Sequence, residues 1–351
     1  FIMTGKKKIA ILFGGYSTEY EVSLQSAYGV ITHVNREKYE LCLIGLAKES
    51  GQWLWYSGNP DRIAQNTWEE SGECIPVYLP TDRNVQGIHY LKNGQMHVLH
   101  LDGVFPVLHG KNGEDGTVQG ALSLAGIPVI GCGILSSALC MDKELAHRTV
   151  KQKGVPVPDS CVIRKPYDAL QVWTEAKKLG YPLFVKPVRS GSSFGITMVQ
   201  QEEALIPALE HAFQHDTMVV MEERMDGREV GCAIIGTDDL LTGEPDEIEL
   251  SEGFFDYTEK YTLKTSRIHV PARVSPETSA RIRRTAEIIY RTLGCSGFAR
   301  VDMFLTPEGK IYFNEVNTIP GFTSHSRFPN MLKAAGYSFE DLVNRILEDG
   351  I

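Results

Sequence analysis

Four polar residues near the end of the chain have the types and the spacing of a metal site. Arg300 and Asp302 lie two residues apart, as do Glu315 and Asn317, so each pair would share one face of a strand. A hairpin with residues 308–309 as its two-residue loop would set Asp302 opposite Glu315. The same register sets Arg300 opposite Asn317. Two carboxylates and an amide oxygen in one patch suit Mg²⁺, which takes oxygen ligands.

A ladder of charged pairs on the protein surface is the alternative interpretation of this hairpin. Carboxylates that face each other directly repel, however, unless a cation lies between them. The residue types therefore favour a metal-binding hairpin.

The segment 189–195 is rich in glycine and serine, and it follows an apolar stretch that contains Lys186. Small residues allow backbone N–H groups to approach phosphate oxygens, and Lys186 would add positive charge. The segment does not match the P-loop pattern GxxxxGK[ST], and no GxGxxG follows the first predicted strand. Phosphate binding and an ordinary turn therefore remain alternative interpretations.

Acidic residues stand at two further positions where they could bind a substrate. Glu222 and Glu223 end an apolar segment, and Glu229 follows them. Such acids can accept hydrogen bonds from an adenine amino group or from ribose hydroxyls, although solvated turn acids are the alternative. Glu21 stands where a helix should begin, with Ser23 as the expected cap. Its carboxylate either stabilises the helix start or binds an ammonium group.

Other residue patterns exclude several kinds of chemistry. The pair His325-Ser326 suggests a catalytic triad, but it lacks the nucleophile-elbow pattern GxSxG. The seven cysteines include no CxxC pair, which predicts free thiols in a reducing cytosol and no zinc site. The net charge of −9 is opposite to that of a nucleic-acid binder, and no apolar stretch is long enough to span a membrane. We therefore expect a cytoplasmic, globular protein.

The elements that would carry these residues alternate between strand and helix in the first part of the chain, as in a parallel, doubly wound sheet. Strands are expected at 8–13, 39–46, 102–106 and 127–130. One helix is expected at 23–34, and a second follows the glycine-rich loop 111–116 and ends at residue 125. A glycine–proline stop at 154–158 ends a helix over 141–153 and begins a second unit. This unit has expected strands at 183–188, 196–199 and 219–223 and a helix at 202–211. A third unit holds the hairpin strands, 299–305 and 311–317.

Short motifs follow one another in a fixed order. They are Gly14-Gly15, Glu19-Tyr20-Glu21-Val22-Ser23, Leu108-His109-Gly110, Gly113-Glu114-Asp115-Gly116, Met141-Asp142-Lys143, Val185-Lys186-Pro187, Gly191-Ser192-Ser193, Glu259-Lys260-Tyr261, Ala299-Arg300-Val301-Asp302, Asn314-Glu315-Val316-Asn317, Pro320-Gly321 and Ser324-His325-Ser326. Together they resemble the D-alanine–D-alanine ligase family of ATP-grasp enzymes, over residues 8–341. The resemblance implies an α/β fold of three domains, a doubly wound N-terminal domain at 3–135, a central ATP-grasp subdomain at 136–225 and a catalytic C-terminal domain at 226–351.

The same resemblance implies a nucleotide site between the central and C-terminal domains. Lys143, Lys186 and Lys260 would contact the phosphates of ATP, under a loop of Ser190, Gly191, Ser192 and Ser193. Glu222 and Glu223 would hold adenine, Glu229 the ribose, and Phe184, Phe254 and Phe304 the faces of the base, with Asn314 and Glu315 as further nucleotide contacts. Asp302, Glu315 and Asn317 would bind two Mg²⁺ ions, which Mn²⁺ can replace.

The implied activity is the ATP-dependent joining of two D-amino acids through an acyl-phosphate. Glu21 would bind the ammonium group of the first D-alanine, linked to Ser192 and Tyr261, and His109 would also contact substrate. Arg300 and the N–H of Gly321 would form the oxyanion hole, and Ser326 would bind the carboxylate of the second substrate. Residues 257–265 would form a lid, and the protein would be a homodimer.

Two positions depart from the common family pattern. Arg327 stands where an aliphatic residue is usual, and together with Glu259-Lys260-Tyr261 it is similar to the VanG-type D-alanine–D-serine ligases of vancomycin resistance. Arg224 replaces an apolar neighbour of adenine. The resemblance therefore implies D-serine as the second substrate, with a D-alanine–D-alanine ligase and a non-catalytic ATP-binding regulator as alternatives.

Overall fold

The computed structural model describes residues 5–191, 195–250 and 266–351. Their strands form three sheets of seven, four and six strands, which follow one another along the chain. This mixed α/β organisation confirms the predicted fold class. The domain boundaries after residues 135 and 225 stay predictions.

The first sheet is parallel only at its centre. Its strands are β1 (Lys7–Gly14), β2 (Tyr39–Leu46), β3 (Trp53–Tyr56), β4 (Cys74–Tyr78), β5 (Gly87–Lys92), β6 (Gln95–His100) and β7 (Gly103–Pro106). They lie in the order β6-β5-β4-β3-β2-β1-β7, and β1 is parallel to both β2 and β7. The strand expected at 127–130 is wrong, since Val129 forms only an isolated bridge with Val104. Pro128 has no N–H group with which to extend a ladder there.

Helix α1 (Tyr20–His33) follows β1, and it begins earlier than the sequence suggested. Ser23 is therefore inside the helix, and its expected capping role is wrong. Its hydroxyl instead donates to the carbonyl of Val107 and accepts the N–H of Gly14, at 2.8 Å for the latter. These bonds fix α1 against the ends of β1 and β7. Helices α2 (Asp61–Ala64) and α3 (Thr117–Leu124) complete this part.

Two helices, α4 (Ile134–Met141) and α5 (Lys143–Lys151), lead into the second sheet. The helix expected at 141–153 is broken at Asp142, whose side chain caps α5 by accepting the N–H of Leu145 at 3.0 Å. The strands of this sheet are β8 (Ser160–Arg164), β9 (Leu183–Pro187), β10 (Thr197–Val199) and β11 (Met218–Glu223), in the antiparallel order β10-β9-β11-β8. Helices α6 (Ala169–Leu179) and α7 (Leu205–Ala212) pack against it.

The third sheet carries the predicted hairpin. Its strands are β12 (Arg228–Ile235), β13 (Leu241–Thr242), β14 (Asp246–Leu250), β15 (Ser266–His269), β16 (Phe298–Leu305) and β17 (Ile311–Asn317). Five of them lie in the order β15-β14-β12-β16-β17, and β13 pairs with β12. Helix α8 (Pro276–Thr292) lies between β15 and β16 in the chain, and helices α9 (Arg327–Ala334) and α10 (Phe339–Gly350) follow β17.

The predicted pairs of the hairpin are confirmed, although its loop is not as expected. The N–H of Thr306 donates to the carbonyl of Lys310 at 2.9 Å, which leaves a loop of residues 307–309 instead of 308–309. This loop alone would set Asp302 opposite Asn314. A β-bulge shifts the register between Asp302 and Met303, because β17 has one extra residue there, Asn314, which faces no residue of β16. Asp302 therefore faces Glu315 after all. The two offsets cancel.

A cluster of phenylalanines joins the first and third units. The ring of Phe105, from β7, lies 5.4 Å from Phe298 and 5.8 Å from Phe322, centroid to centroid. All three rings are fully buried. The cluster therefore packs the N-terminal sheet against the segment that follows β17. Among the described helices, none is long and apolar enough to cross a membrane.

Candidate active site

A cavity of about 730 Å³ opens where the three units meet. This volume is in the range of small-molecule sites. Its walls include many of the predicted site residues, namely Glu21, His109, Lys143, Ser190, Gly191, Arg300, Glu315, Asn317, Gly321, Ser326 and Arg327. Other predicted residues lie outside the described part of the chain, namely Ser192, Ser193, Phe254, Lys260 and Tyr261, together with the expected lid.

One row of residues crosses the third sheet. Asp246 on β14 faces Gly231 on β12, and Gly231 faces Asp302 on β16. Asp302 in turn faces Glu315 on β17. The row thus aligns three carboxylates with a glycine between the first two.

Two guanidinium groups contact the two aspartates of this row. Arg300 donates to both oxygens of Asp302, at 2.8 and 2.7 Å. Arg327 donates to both oxygens of Asp246, at 2.6 and 2.8 Å, and its Nη2 lies 3.3 Å from Asp302 Oδ1. A metal ion is therefore not the only cation that can offset the opposed carboxylates, and the metal site stays a prediction.

Arg327 is a buried charge. Its side chain is 5% exposed, and its Nη1 also donates to Glu229 at 3.1 Å. Burial acts against its charge, but Asp246 and then Asp302 hold the pKa of Arg327 well above its usual range. The guanidinium therefore stays protonated between three carboxylates while bordering the cavity.

A second buried ion pair lies in the central sheet. Lys186 on β9 donates to Glu222 on β11, and Glu222 is 2% exposed. Burial alone would raise the pKa of Glu222, but the charge of Lys186 is the main cause that lowers it below its ordinary value. Glu222 is thus an ionised partner of Lys186, and its predicted contact with adenine stays a prediction.

Lys143 is placed by the break between α4 and α5. It is the first residue of α5, and its Nζ donates to the carbonyl of Ser190 at 2.7 Å. This bond joins the helix start to the glycine–serine segment, so a lysine and the segment predicted to bind phosphate border the same cavity.

The residues predicted to surround the nucleotide lie at paired positions of neighbouring strands, within the second sheet and within the third. Phe184 is paired with Glu222 across β9 and β11, and Phe304 is paired with Glu229 across β16 and β12. Glu223 accepts the N–H of Asp159 at 2.8 Å. Roles in adenine or ribose binding stay predictions for Phe184, Phe304 and the three glutamates.

Glu19 is a cavity residue that the reading of the sequence missed. It is 6% exposed, and its Oε2 lies only 2.5 Å from where a Cβ on Gly110 would be. Glu21 also borders the cavity, but its side chain is 58% exposed and lies 2.7 Å from Lys48, which lowers the pKa of Glu21. Helical periodicity could have revealed this difference. Glu21 and Gln25 are four residues apart and therefore share one face of α1. Tyr20 and Leu24 lie on another face, which packs into the core.

His109 and Glu114 hold the segment that follows β17. His109 contacts the carbonyl of Ile319 at 2.8 Å and the hydroxyl of Ser26 at 2.9 Å. Glu114 accepts the N–H of the same Ile319 at 3.1 Å and that of Gly110 at 2.8 Å. Burial lowers the pKa of His109 and raises that of Glu114 to about 8, the latter with help from the charge of Glu19. Both backbone polar groups of Ile319, its N–H and its carbonyl, are thereby tied to the N-terminal unit.

Ser326 and Gly321 lie next to each other in the wall of the cavity. The Ser326 hydroxyl accepts the N–H of Thr323 at 3.0 Å. A Cβ on Gly321 would be 2.7 Å from the Ser326 hydroxyl, so only glycine allows this approach. The backbone of Gly321 and the hydroxyl of Ser326 can therefore contact the same small molecule.

The three-sheet fold, with Lys143, two arginines and several carboxylates around one cavity, is that of an ATP-grasp ligase, as the similarity to solved ligase structures shows. Residues 8–132 match the family described as "D-ala D-ala ligase N-terminus", and residues 149–348 match "D-ala D-ala ligase C-terminus". The chain therefore belongs to the D-alanine–D-alanine ligase family, whose members are enzymes.

The names of similar proteins state different second substrates or, in one case, none. The crystal structure of the VanG D-Ala:D-Ser ligase from Enterococcus faecalis is 53% identical, with a TM-score of 0.92 over 99% of this chain and 100% of that one. A D-alanine–D-alanine ligase of Caldicellulosiruptor bescii is 41% identical over 97% of this chain and 94% of its own length. The vancomycin B-type resistance protein VanB of Enterococcus faecalis is 44% identical over 97% of this chain and 98% of its own length.

Proposed function

We propose that the chain joins D-alanine to D-serine with ATP, through a D-alanyl phosphate, for peptidoglycan precursors that confer vancomycin resistance. The observation that carries the acceptor assignment is Arg327, a charged residue at the cavity wall beside Ser326. The similarity to a D-Ala:D-Ser ligase over nearly the whole chain supports the same assignment.

In the first step, a carboxylate oxygen of D-alanine attacks the γ-phosphorus of ATP. The bond from that phosphorus to the bridging oxygen breaks, ADP leaves, and D-alanyl phosphate remains. Lys143 and Lys186 are the described lysines that would hold the phosphate oxygens. Positioning and neutralisation of charge supply most of the acceleration in such transfers.

The hairpin residues fit a divalent cation that shares phosphate ligands. Asp302, Glu315 and Asn317 supply only oxygen ligands, the kind that Mg²⁺ and Mn²⁺ accept. In the structure the side-chain N–H of Asn317 donates to Asp302 at 2.9 Å. A half-turn of this amide would direct its oxygen, in place of its nitrogen, toward a cation. When bound, the metal would neutralise negative charge on the transferred phosphate.

In the second step, the amine of D-serine attacks the acyl carbon and loses a proton, and phosphate leaves. Arg300 donates two of its five N–H groups to Asp302. The remaining N–H groups would be the donors to the oxyanion. The N–H of Gly321 would be the second donor. One donor of this kind is worth about 10²–10³ in rate.

For the ammonium group of the first D-alanine, we propose Glu19 rather than Glu21. Glu19 lies in the buried wall beside Gly110 and Gly191, whereas Glu21 is half-exposed and paired with Lys48. A buried carboxylate gives a stronger contact to a cation than one screened by water and by a lysine.

The test is a product assay with ATP, Mg²⁺ and D-alanine, to which D-serine, D-alanine or D-lactate is added in turn. We expect D-alanyl-D-serine as the main product by mass. Mainly D-alanyl-D-alanine would support the alternative, a D-alanine–D-alanine ligase, which the 41% identical relative favours. Absence of ADP formation with every acceptor would contradict both. Light scattering on the same sample tests the proposed homodimer.

A further inference from the structure

The bulge in β17 decides which side chains face the cavity. Ile311 and Phe313 alternate into the hydrophobic core, but the next core residue is Val316. If Asn314 were instead an ordinary member of the ladder, strict alternation would direct Glu315, two residues after Phe313, toward the core. The bulge therefore turns Glu315 and Asn317 to the cavity side.

A buried histidine contacts the backbone at this bulge. His147 lies on α5, one turn after Lys143, and its Nε2 is 2.6 Å from the carbonyl oxygen of Asn314. Asn314 has no partner in the register of the ladder. The ring also packs edge-on against Phe313, at 5.3 Å between centroids. The carbonyl accepts, so Nε2 carries the proton.

The same histidine borders the buried ion pair of the central sheet. Its Nδ1 is 4.0 Å from Glu222, the carboxylate that accepts from Lys186. Burial lowers the pKa of His147, which keeps the ring neutral at Nδ1. One side chain therefore links the Lys186 pair to the backbone that orients Glu315.

We propose that His147 is a positioning residue, which holds the bulge at Asn314 and thereby keeps Glu315 opposite Asp302. The inference rests on the proposed function, because it takes these two carboxylates to be the metal ligands. His147 itself is not among the residues that line the cavity. Its loss should therefore weaken metal binding and leave the affinity for D-alanine unchanged.

The test compares replacements that keep or remove the hydrogen-bond donor. His147→Gln keeps an N–H donor of similar reach, whereas His147→Met and His147→Leu have none. Two quantities are measured: the dissociation constant of Mn²⁺ in the presence of ADP, by electron paramagnetic resonance, and the Mg²⁺ concentration for half-maximal rate. Both should rise about tenfold for Met and Leu, as for other residues that support metal ligands. His147→Gln should stay near the wild type.

Arg148→Ala is the matched control, since Arg148 is exposed on the same helix and pairs only with Glu144 among the described ion pairs. Melting temperatures show which variants fold, and one folded donor-free variant suffices. Wild-type Mn²⁺ binding in Met or Leu, or equal damage in Gln, would overturn the inference. A wild type that binds Mn²⁺ but makes no dipeptide refutes the proposed function alone. A wild type that binds no Mn²⁺ refutes the inference.

Discussion

The guanidinium of Arg327 lies directly over Gly231, in the slot that the missing side chain leaves. A Cβ at Gly231 would be 2.5 Å from Arg327 Nη2, 2.8 Å from Asp246 Oδ1 and 2.9 Å from Asp302 Oδ1. Since the three contacts converge on one point, the glycine is what allows Arg327 to bridge two carboxylates from the strands on either side of β12.

Replacing Gly231 with alanine should therefore displace Arg327. Overpacking of this kind costs about 1–3 kcal/mol in the free energy of unfolding. We also expect a changed ratio of D-serine to D-alanine incorporation, measured by competition of the two acceptors. Gly120→Ala is the control, because a Cβ at Gly120 has open space around it. A Gly231→Ala variant with wild-type stability would contradict the prediction that a Cβ at this position displaces Arg327.

Arg327→Leu alone should be strongly destabilised. It leaves Asp246, which is 0% exposed, without its main partner, a loss of about 3–5 kcal/mol. The double variant Arg327→Leu, Asp246→Asn should recover part of that stability. If Arg327 selects the acceptor, both variants should shift preference toward D-alanine. An unchanged acceptor ratio in the stable double variant would remove Arg327 from the specificity.

Glu19→Gln should raise the KM of the first D-alanine more than Glu21→Gln does. A hydrogen bond to a charged group is worth about 1.5–3 kcal/mol, which is roughly 10- to 100-fold in affinity. Glu21→Gln breaks a partly exposed pair with Lys48 and should have a small effect. Steady-state kinetics at saturating ATP checks this. The reverse order would restore Glu21 as the ammonium ligand.

Glu114 should make the stability of the ligand-free protein depend on pH. Its pKa is raised from 4.5 to about 8, first by burial and then by the charge of Glu19. The folded chain thus keeps a proton that the unfolded chain releases, so this contribution is complete below pH 4.5 and is lost as pH rises through about 8. The free energy of unfolding should fall by about 2–5 kcal/mol over this window.

Chemical denaturation at several pH values, compared with Glu114→Gln, isolates the contribution of this group. The amide does not titrate, so the difference between wild type and variant should narrow as pH rises. A difference that is constant from pH 4.5 to 8 would mean that Glu114 titrates near its ordinary value.

The sequence alone determined the local elements and the order of the motifs. β2 and β17 run over the predicted residues, because apolar residues bounded by polar turns specify a strand locally. The pairing of Asp302 with Glu315 was also correct, but through two errors that cancel. Turn length and the bulge depend on packing against other units, such as the contact of His147 with Asn314.

Tertiary structure decided which charged residues are buried and what they pair with. Arg327 and Asp246 are 81 residues apart in the chain, and Glu114 and Ile319 are 205 apart. No local periodicity relates residues at such distances, since their contacts follow from how the sheets pack. Both Glu19 and Glu21 border the cavity, but the packing of the segment that holds Glu19 against Gly110 and Gly191 decides that Glu19 is the buried carboxylate.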